Sequence, residues 1–227
     1  MNLTNFDEGQ SVEHMKHHFL LPDCHYMIVA PTGSGKTNLL CNMLLKWMKF
    51  DNCTIYTIND DQHKYMELAE LSKILKNELA ITDVIKIDKP ENIISVDELD
   101  KDSSKIIVFD DIKIDKKYMD MIAEYFSLSR NKNCNCIFLS QSYYDVPKYI
   151  RRNTKCFVLF DGLDNTDISH ICKDHKKHIN LDEFCHLYQQ ATSEPYSFMV
   201  FDKTTNNVPQ MYRKRFDHFY VPKIPHL

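Results

Sequence analysis

The chain has 227 residues, 28 Lys and Arg against 32 Asp and Glu, and a formal net charge of −4. That length fits one α/β domain, and 43% hydrophobic with 26% charged residues excludes a disordered chain. No run approaches the roughly 18–20 apolar residues of a membrane helix, and the opening MNLTNFDEGQ lacks the basic-then-apolar pattern of a signal peptide. The expectation is a soluble intracellular protein without a whole-chain basic signature for nucleic acid.

In chain order, His18–Leu21 reads as a short strand closed by Pro22. Tyr26–Val29 is a continuous apolar run, as in a strand buried on both faces. It enters the loop APTGSGKT, and Leu39, Leu40, Met43, Leu44 and Trp47 then predict a helix over Asn38–Phe50. A strand is predicted at Cys53–Ile58 and a helix at Asp60–Asn77, with Asp60 or Asp61 as N-cap. Ile81–Ile87 reads as a strand and Pro90–Leu99 as a loop with a short helix. Lys105–Phe109 is the strongest strand, followed by an amphipathic helix over Lys116–Leu128 and a buried strand over Cys136–Ser140. Pro147 opens a short helix reaching Arg152, and Lys155–Phe160 is the next strand. Beyond Gly162 come two helices, Asn165–His175 and Leu181–Gln190, then a hairpin of Tyr196–Asp202 with Val208–Arg213 and an extended tail VPKIPHL. The pattern is one domain, 1–227: a mainly parallel sheet with helices on both faces over about 17–160, and a small C-terminal helical and β-hairpin addition over about 161–227.

Strand, glycine loop, Gly-Lys-Thr and helix together make a phosphate cradle, a P-loop. The candidate nucleotide-binding residues are Pro31, Thr32, Gly33, Ser34, Gly35, Lys36, Thr37 and Asn38. Backbone N–H groups of such a loop turn toward the β-phosphate, and the helix start presents its positive end to the same anion. Lys36 reaches the β- and γ-phosphates, and the Thr37 hydroxyl binds magnesium. The chain has four glycines; two of them, Gly33 and Gly35, lie in this loop, where a Cβ is least tolerated.

The strand KIIVF ends in Asp110 and Asp111. In nucleotidases the first acid stands beside magnesium and the second near the γ-phosphate, where it orients or deprotonates water. Asp110 is therefore assigned to the metal and Asp111 to the water. The strand Cys136–Ser140 is the candidate for the extra strand that ATP-driven motors insert between cradle and acid strands; Gln141 at its end is a candidate γ-phosphate sensor. Arg130, just before that strand, is a candidate trans-acting finger into a neighbouring subunit's site. Arg151 and Arg152 compete for that role, or with Lys148 contact a DNA backbone; Arg213, Lys214 and Arg215 form a second basic cluster. The eight cysteines read as reduced thiols. His170, Cys172, His175, His178, Cys185 and His186 are dense in soft ligands but lack the paired spacing of zinc sites, which favours core and surface roles.

From about Met27 to Phe216 the chain resembles the FtsK–HerA superfamily, in its poxvirus-type branch of genome-packaging ATPases of large DNA viruses and virophages. APTGSGKT, IIVFDD, SRNKNCNCIFLSQSYYDVPKYIRRNTKCFVLF, and YSFMVFD with MYRKRF carry the resemblance. It implies a doubly wound P-loop NTPase core of the RecA/ASCE type and an ATP- and Mg2+-dependent ring, pentamer or hexamer. That ring threads double-stranded DNA into a preformed capsid, with capsid vertex proteins as partners, in the host-cell cytoplasm (the virus factory) or the virion. Residue by residue it implies Lys36 and Thr37 as cradle, Asp110 and Asp111 as acid pair, Gln141 as sensor and Arg130 as finger. Where many relatives carry Glu, this chain has Asp111, one methylene shorter, so the water must sit closer.

Rivals fit less well. Nucleotide kinases need an arginine-rich lid, and five scattered arginines do not make one. A GTPase needs Asn-Lys-x-Asp, whereas Asn131–Lys132–Asn133–Cys134 lacks the base-bonding aspartate. Cellular translocases of the superfamily carry extra domains for which this length has no room. A nucleotide-gated scaffold at the capsid vertex, without processive hydrolysis, remains the non-enzyme alternative.

Overall fold

The computed structural model describes residues 24–59, 63–79, 85–112, 116–175, 179–205, 208–216 and 218–219. The strand expected at His18–Leu21 and the tail VPKIPHL lie outside them. Among the described residues, nine strands form one sheet: β1 Tyr26–Val29, β2 Asn52–Thr57, β3 Ile85–Asp88, β4 Lys105–Asp110, β5 Cys134–Ser140, β6 Cys156–Phe160, β7 Phe198–Asp202, β8 Tyr212–Lys214 and β9 His218–Phe219. Their order is β3-β2-β4-β5-β1-β6-β7-β8-β9. The first six run parallel and the last three antiparallel.

Burial explains the choice of strands. Tyr26, Met27, Ile28 and Val29 are all buried because alternate side chains enter different cores. Met27 and Val29 join one cluster with Phe109, Phe126, Phe138, Phe157 and Tyr188; Tyr26 and Ile28 join the other with Leu40, Tyr65, Val108 and Phe160. The first core is covered by α3 Lys116–Leu128, α4 Lys148–Asn153, α5 Asn165–His175 and α6 Leu181–Ala191. The second is covered by α1 Lys36–Asn42 and α2 His63–Leu79. The doubly wound, mainly parallel α/β fold expected from the sequence is the one observed.

Two segments differ from expectation. The helix drawn to Phe50 ends at Trp47 in a π-helical turn, Met43–Trp47. The chain is pulled out of the helix there, because the N–H groups of Asp51 and Asn52 both donate to the Ser104 carbonyl at the foot of β4 (2.9 and 3.2 Å). In the predicted hairpin, Val208–Met211 is a short helix, α7, and the return strand is confined to Tyr212–Lys214. Its register pairs Phe201 with Tyr212 and Met199 with Lys214, so the C-terminal segment extends the main sheet through β6–β7 pairing.

Candidate nucleotide site

Register brings the functional residues to one edge. β5 lies between β4 and β1, as expected of the inserted strand. Val29 pairs with Ser140 and Asp110 with Leu139. The Ala30 N–H donates to the Ser140 carbonyl (3.0 Å) and the Asp111 N–H to the Leu139 carbonyl (3.2 Å). The C-terminal ends of β1, β4 and β5 therefore deliver the loop, the two acids and Gln141 side by side, at the sheet edge where open α/β folds bind ligands.

Around them lies a cavity of about 520 Å³, within the range of small-molecule sites. Its wall includes Pro31, Thr32, Gly33, Gly35, Lys36, Thr37, Asn38, Asp111 and Gln141 from the predicted set, with Asn59, Lys64 and Tyr196 in addition. Gly33 and Gly35 take φ of +84° and +99°, the left-handed region that favours glycine. Ser34 turns its hydroxyl into the loop and donates to the Pro31 carbonyl (2.9 Å).

The Lys36 ammonium donates to Asp111 Oδ2 at 2.9 Å and stands 3.9 Å from Asp110 Oδ1. Gln141 Nε2 donates to the same Asp111 oxygen at 3.0 Å, and the Thr32 hydroxyl donates to Gln141 Oε1 at 3.3 Å. Asp111 adopts φ +47°. Non-glycine residues in that region are uncommon and gather at functional sites.

Asp110 is 2% exposed and accepts a 2.6 Å hydrogen bond from the Tyr65 hydroxyl on α2. Its other oxygen, Oδ1, is buried with no hydrogen-bond partner. Burial raises the carboxyl's pKa above the ordinary carboxylate value, against the Tyr65 hydrogen bond and the Lys36 charge, which lower it. A buried carboxylate oxygen that accepts no hydrogen bond beside the glycine loop is a hard donor of the kind magnesium takes. The donor chemistry of Asp110 thus fits that ion, and Thr37 lines the adjoining cavity.

The remaining predicted residues lie elsewhere. Arg130 is exposed in a 3-10 turn, Ser129–Lys132, at the N-terminal end of β5, the opposite edge of the sheet from its own cradle. Arg151 is a correction. It is buried, pairs with Asp174, donates from Nε to the Val146 carbonyl (2.9 Å), and lies 4.8 Å from the Tyr143 ring centroid. It holds α4 against α5 and is not available to a DNA backbone. Lys148 and Arg152 are exposed on that helix. Of the second basic cluster, Arg213 is buried against Asp202, while Lys214 and Arg215 bridge Glu194.

In the His/Cys stretch, Cys172 is core and His170 packs against Tyr144 with the two rings tilted. His175 meets the Tyr143 hydroxyl at 2.8 Å, and burial pushes its pKa down to about 3. His178 lies outside the described residues. Among those described, no three His, Cys, Asp or Glu side chains group as a metal site.

Sequence reading missed Tyr65, Tyr196 and Asp167. Asp167 accepts from the N–H groups of Tyr143 and Tyr144 (3.0 and 2.8 Å) and from Ser142 Oγ (3.1 Å), fixing the loop after Gln141. Each acts across a tertiary contact that no local pattern signals.

The family model for the poxvirus A32 protein matches residues 12–207. Comparison with curated proteins finds no match. Among solved structures, the chain is similar to the DNA-packaging ATPase B204 from Sulfolobus turreted icosahedral virus: TM-score 0.59, 17% identity, 86% of this chain and 97% of that one. It is also similar to the genome-packaging NTPase B204 from Sulfolobus turreted icosahedral virus 2 in complex with AMP: TM-score 0.56, 14% identity, 89% of this chain and 99% of that one. At those identities the likeness shows a shared fold. No described helix is long and apolar enough to cross a membrane. The family match spans most of the chain, and with it the chain belongs to the poxvirus A32 protein family.

Proposed function

We propose that the chain is an ATP-hydrolysing motor that moves double-stranded viral DNA into a preformed capsid. It works as a homo-oligomeric ring of five or six at the capsid vertex, in the virus factory of the host cytoplasm or in the virion. The observation that carries this reading is the convergence of Lys36, Asp111 and Gln141 on one cavity, with Asp110 buried 3.9 Å behind the Lys36 ammonium. Family membership and the likeness to viral packaging NTPases support it.

The chemistry follows from the contacts. Main-chain N–H groups from Gly33 to Thr37 bind the triphosphate. An entering phosphate competes for the Lys36 ammonium and draws it from Asp111, which frees that carboxylate to accept a proton from water. Gln141, already bonded to Asp111, holds the water between them. Magnesium, when bound by Thr37 and Asp110, neutralises charge on the transferring phosphoryl group. Arg130 serves as a finger only if the ring sets a neighbour's cradle against the opposite edge of this sheet. Lys148 and Arg152 are the DNA contacts this reading retains.

Purified full chain with Mg2+ is expected to hydrolyse ATP faster when double-stranded DNA is added. Hydrolysis indifferent to DNA removes the motor; ATP binding without turnover favours the vertex scaffold. Arg130→Ala is expected to bind ATP without turnover and to regain activity when mixed with Lys36→Ala protein. No recovery in mixed rings removes the finger role.

A further inference from the structure

We propose that Tyr196 is the platform on which the nucleobase of the bound nucleoside triphosphate stacks. This rests on the phosphate-cradle reading and adds the half of the ligand that the cradle does not touch.

The strand order gives the cavity a direction. β5 and β4, with Gln141 and Asp111, flank β1 on one side; β6 and β7 flank it on the other. A triphosphate whose terminal phosphate faces Asp111 carries its nucleoside toward β6 and β7. Tyr196, two residues before β7, lines the cavity there. Its ring stands 3.4 Å from where a Cβ on Gly35 would lie, so it flanks the phosphate loop directly.

Two properties of Tyr196 need a reason. The first is exposure: Tyr196 is 60% exposed, although the next two residues, Ser197 and Phe198, are each 1% exposed. The second is backbone strain: Tyr196 has φ +57°, an outlier for a bulky residue that persists only where surroundings enforce it. The enforcement is visible. The Ser197 N–H donates to the Glu194 carbonyl (3.0 Å), Glu194 bridges Lys214 (2.5 Å) and Arg215 (3.4 Å), and the Arg215 N–H donates to the Phe198 carbonyl (2.8 Å). The β7–β8 pair thus clamps a turn whose outcome is an aromatic face presented to solvent at the nucleoside end of the cavity. An aromatic ring held there supplies base stacking, which accepts any base by its π-face.

Titration of the full chain with Mg-ATP and with Mg-tripolyphosphate tests this. Tyr196→Ala is expected to weaken ATP by roughly 5- to 150-fold, the range for loss of one base–aromatic stack, and to leave tripolyphosphate affinity unchanged. Tyr196→Gly, which suits the positive φ and so keeps the turn, is expected to do the same, and Tyr196→Phe to bind ATP as the parent does. Parent-like ATP affinity in the Ala and Gly variants overturns the proposal, as does equal weakening of both ligands. If the parent binds tripolyphosphate as tightly as ATP, the cradle stands and the platform falls. If the parent binds neither, the cradle reading fails and the platform with it.

Discussion

Tyr65→Phe isolates the buried contact that holds the Asp110 carboxylate. The Tyr65 ring is fully buried, so Phe keeps its shape and removes only the hydroxyl that donates to Asp110 at 2.6 Å. Asp110 Oδ1 already has no hydrogen-bond partner, so the variant leaves the whole carboxylate without one. A hydrogen bond to a charged group is worth about 1.5–3 kcal/mol, which at ~2–4 °C per kcal/mol for this length lowers the melting temperature by about 3–12 °C. The sign with pH follows from burial. Because the folded-state pKa of Asp110 is raised, the folded chain holds that proton more tightly than the unfolded chain. Its contribution to stability therefore grows as pH falls through the folded pKa and levels off below the ordinary carboxylate value. The lost bond favoured the ionised form, so the Tyr65→Phe penalty is largest near neutrality and shrinks on acidification. Urea unfolding of variant and parent at a series of pH values measures it, since other titrating groups cancel in the difference. No penalty at neutrality, or one independent of pH, refutes the reasoning.

Asp111→Asn removes the proposed proton acceptor but keeps the side chain's shape; turnover is expected to fall about 10²–10⁴-fold, with ATP affinity by titration changing far less. Gly162→Ala is expected to destabilise the chain by about 1–2 kcal/mol in thermal melts, because Gly162 has φ +86° and an added Cβ would lie 3.1 Å from Pro31 Cγ in the phosphate loop. His25 and His175 are held neutral by burial, their pKa values pushed down to about 4 and about 3. Unfolding exposes them to an ordinary value near 6.5, so stability present above about pH 6.5 is lost progressively down to about pH 3. A His175→Gln variant is expected to flatten that acid limb in denaturation measured against pH.

Local chemistry made much of this protein legible without coordinates. The apolar runs at Tyr26–Val29 and Lys105–Asp110 are strands because both faces need burial. Gly33 and Gly35 announce a loop with positive φ, and Asp110 and Asp111 stand at the end of an apolar strand. Periodicity placed the helix at Lys116–Leu128 with the observed bounds.

What tertiary structure alone decided are relations between segments distant in sequence. The burial of Arg151 depends on Asp174 and Tyr143, contributed by other elements, so its run with Arg152 looked equally basic on both residues. Val208–Met211 is helix, and only Tyr212–Lys214 of the predicted return strand pairs with β7. Tyr65 meets Asp110, and Tyr196 meets Gly35, only after α2 and the β7 turn dock on opposite sides of the phosphate loop. Periodicity reports how one segment buries its own apolar face; it carries no signal for a polar contact whose two halves come together only when the sheet closes.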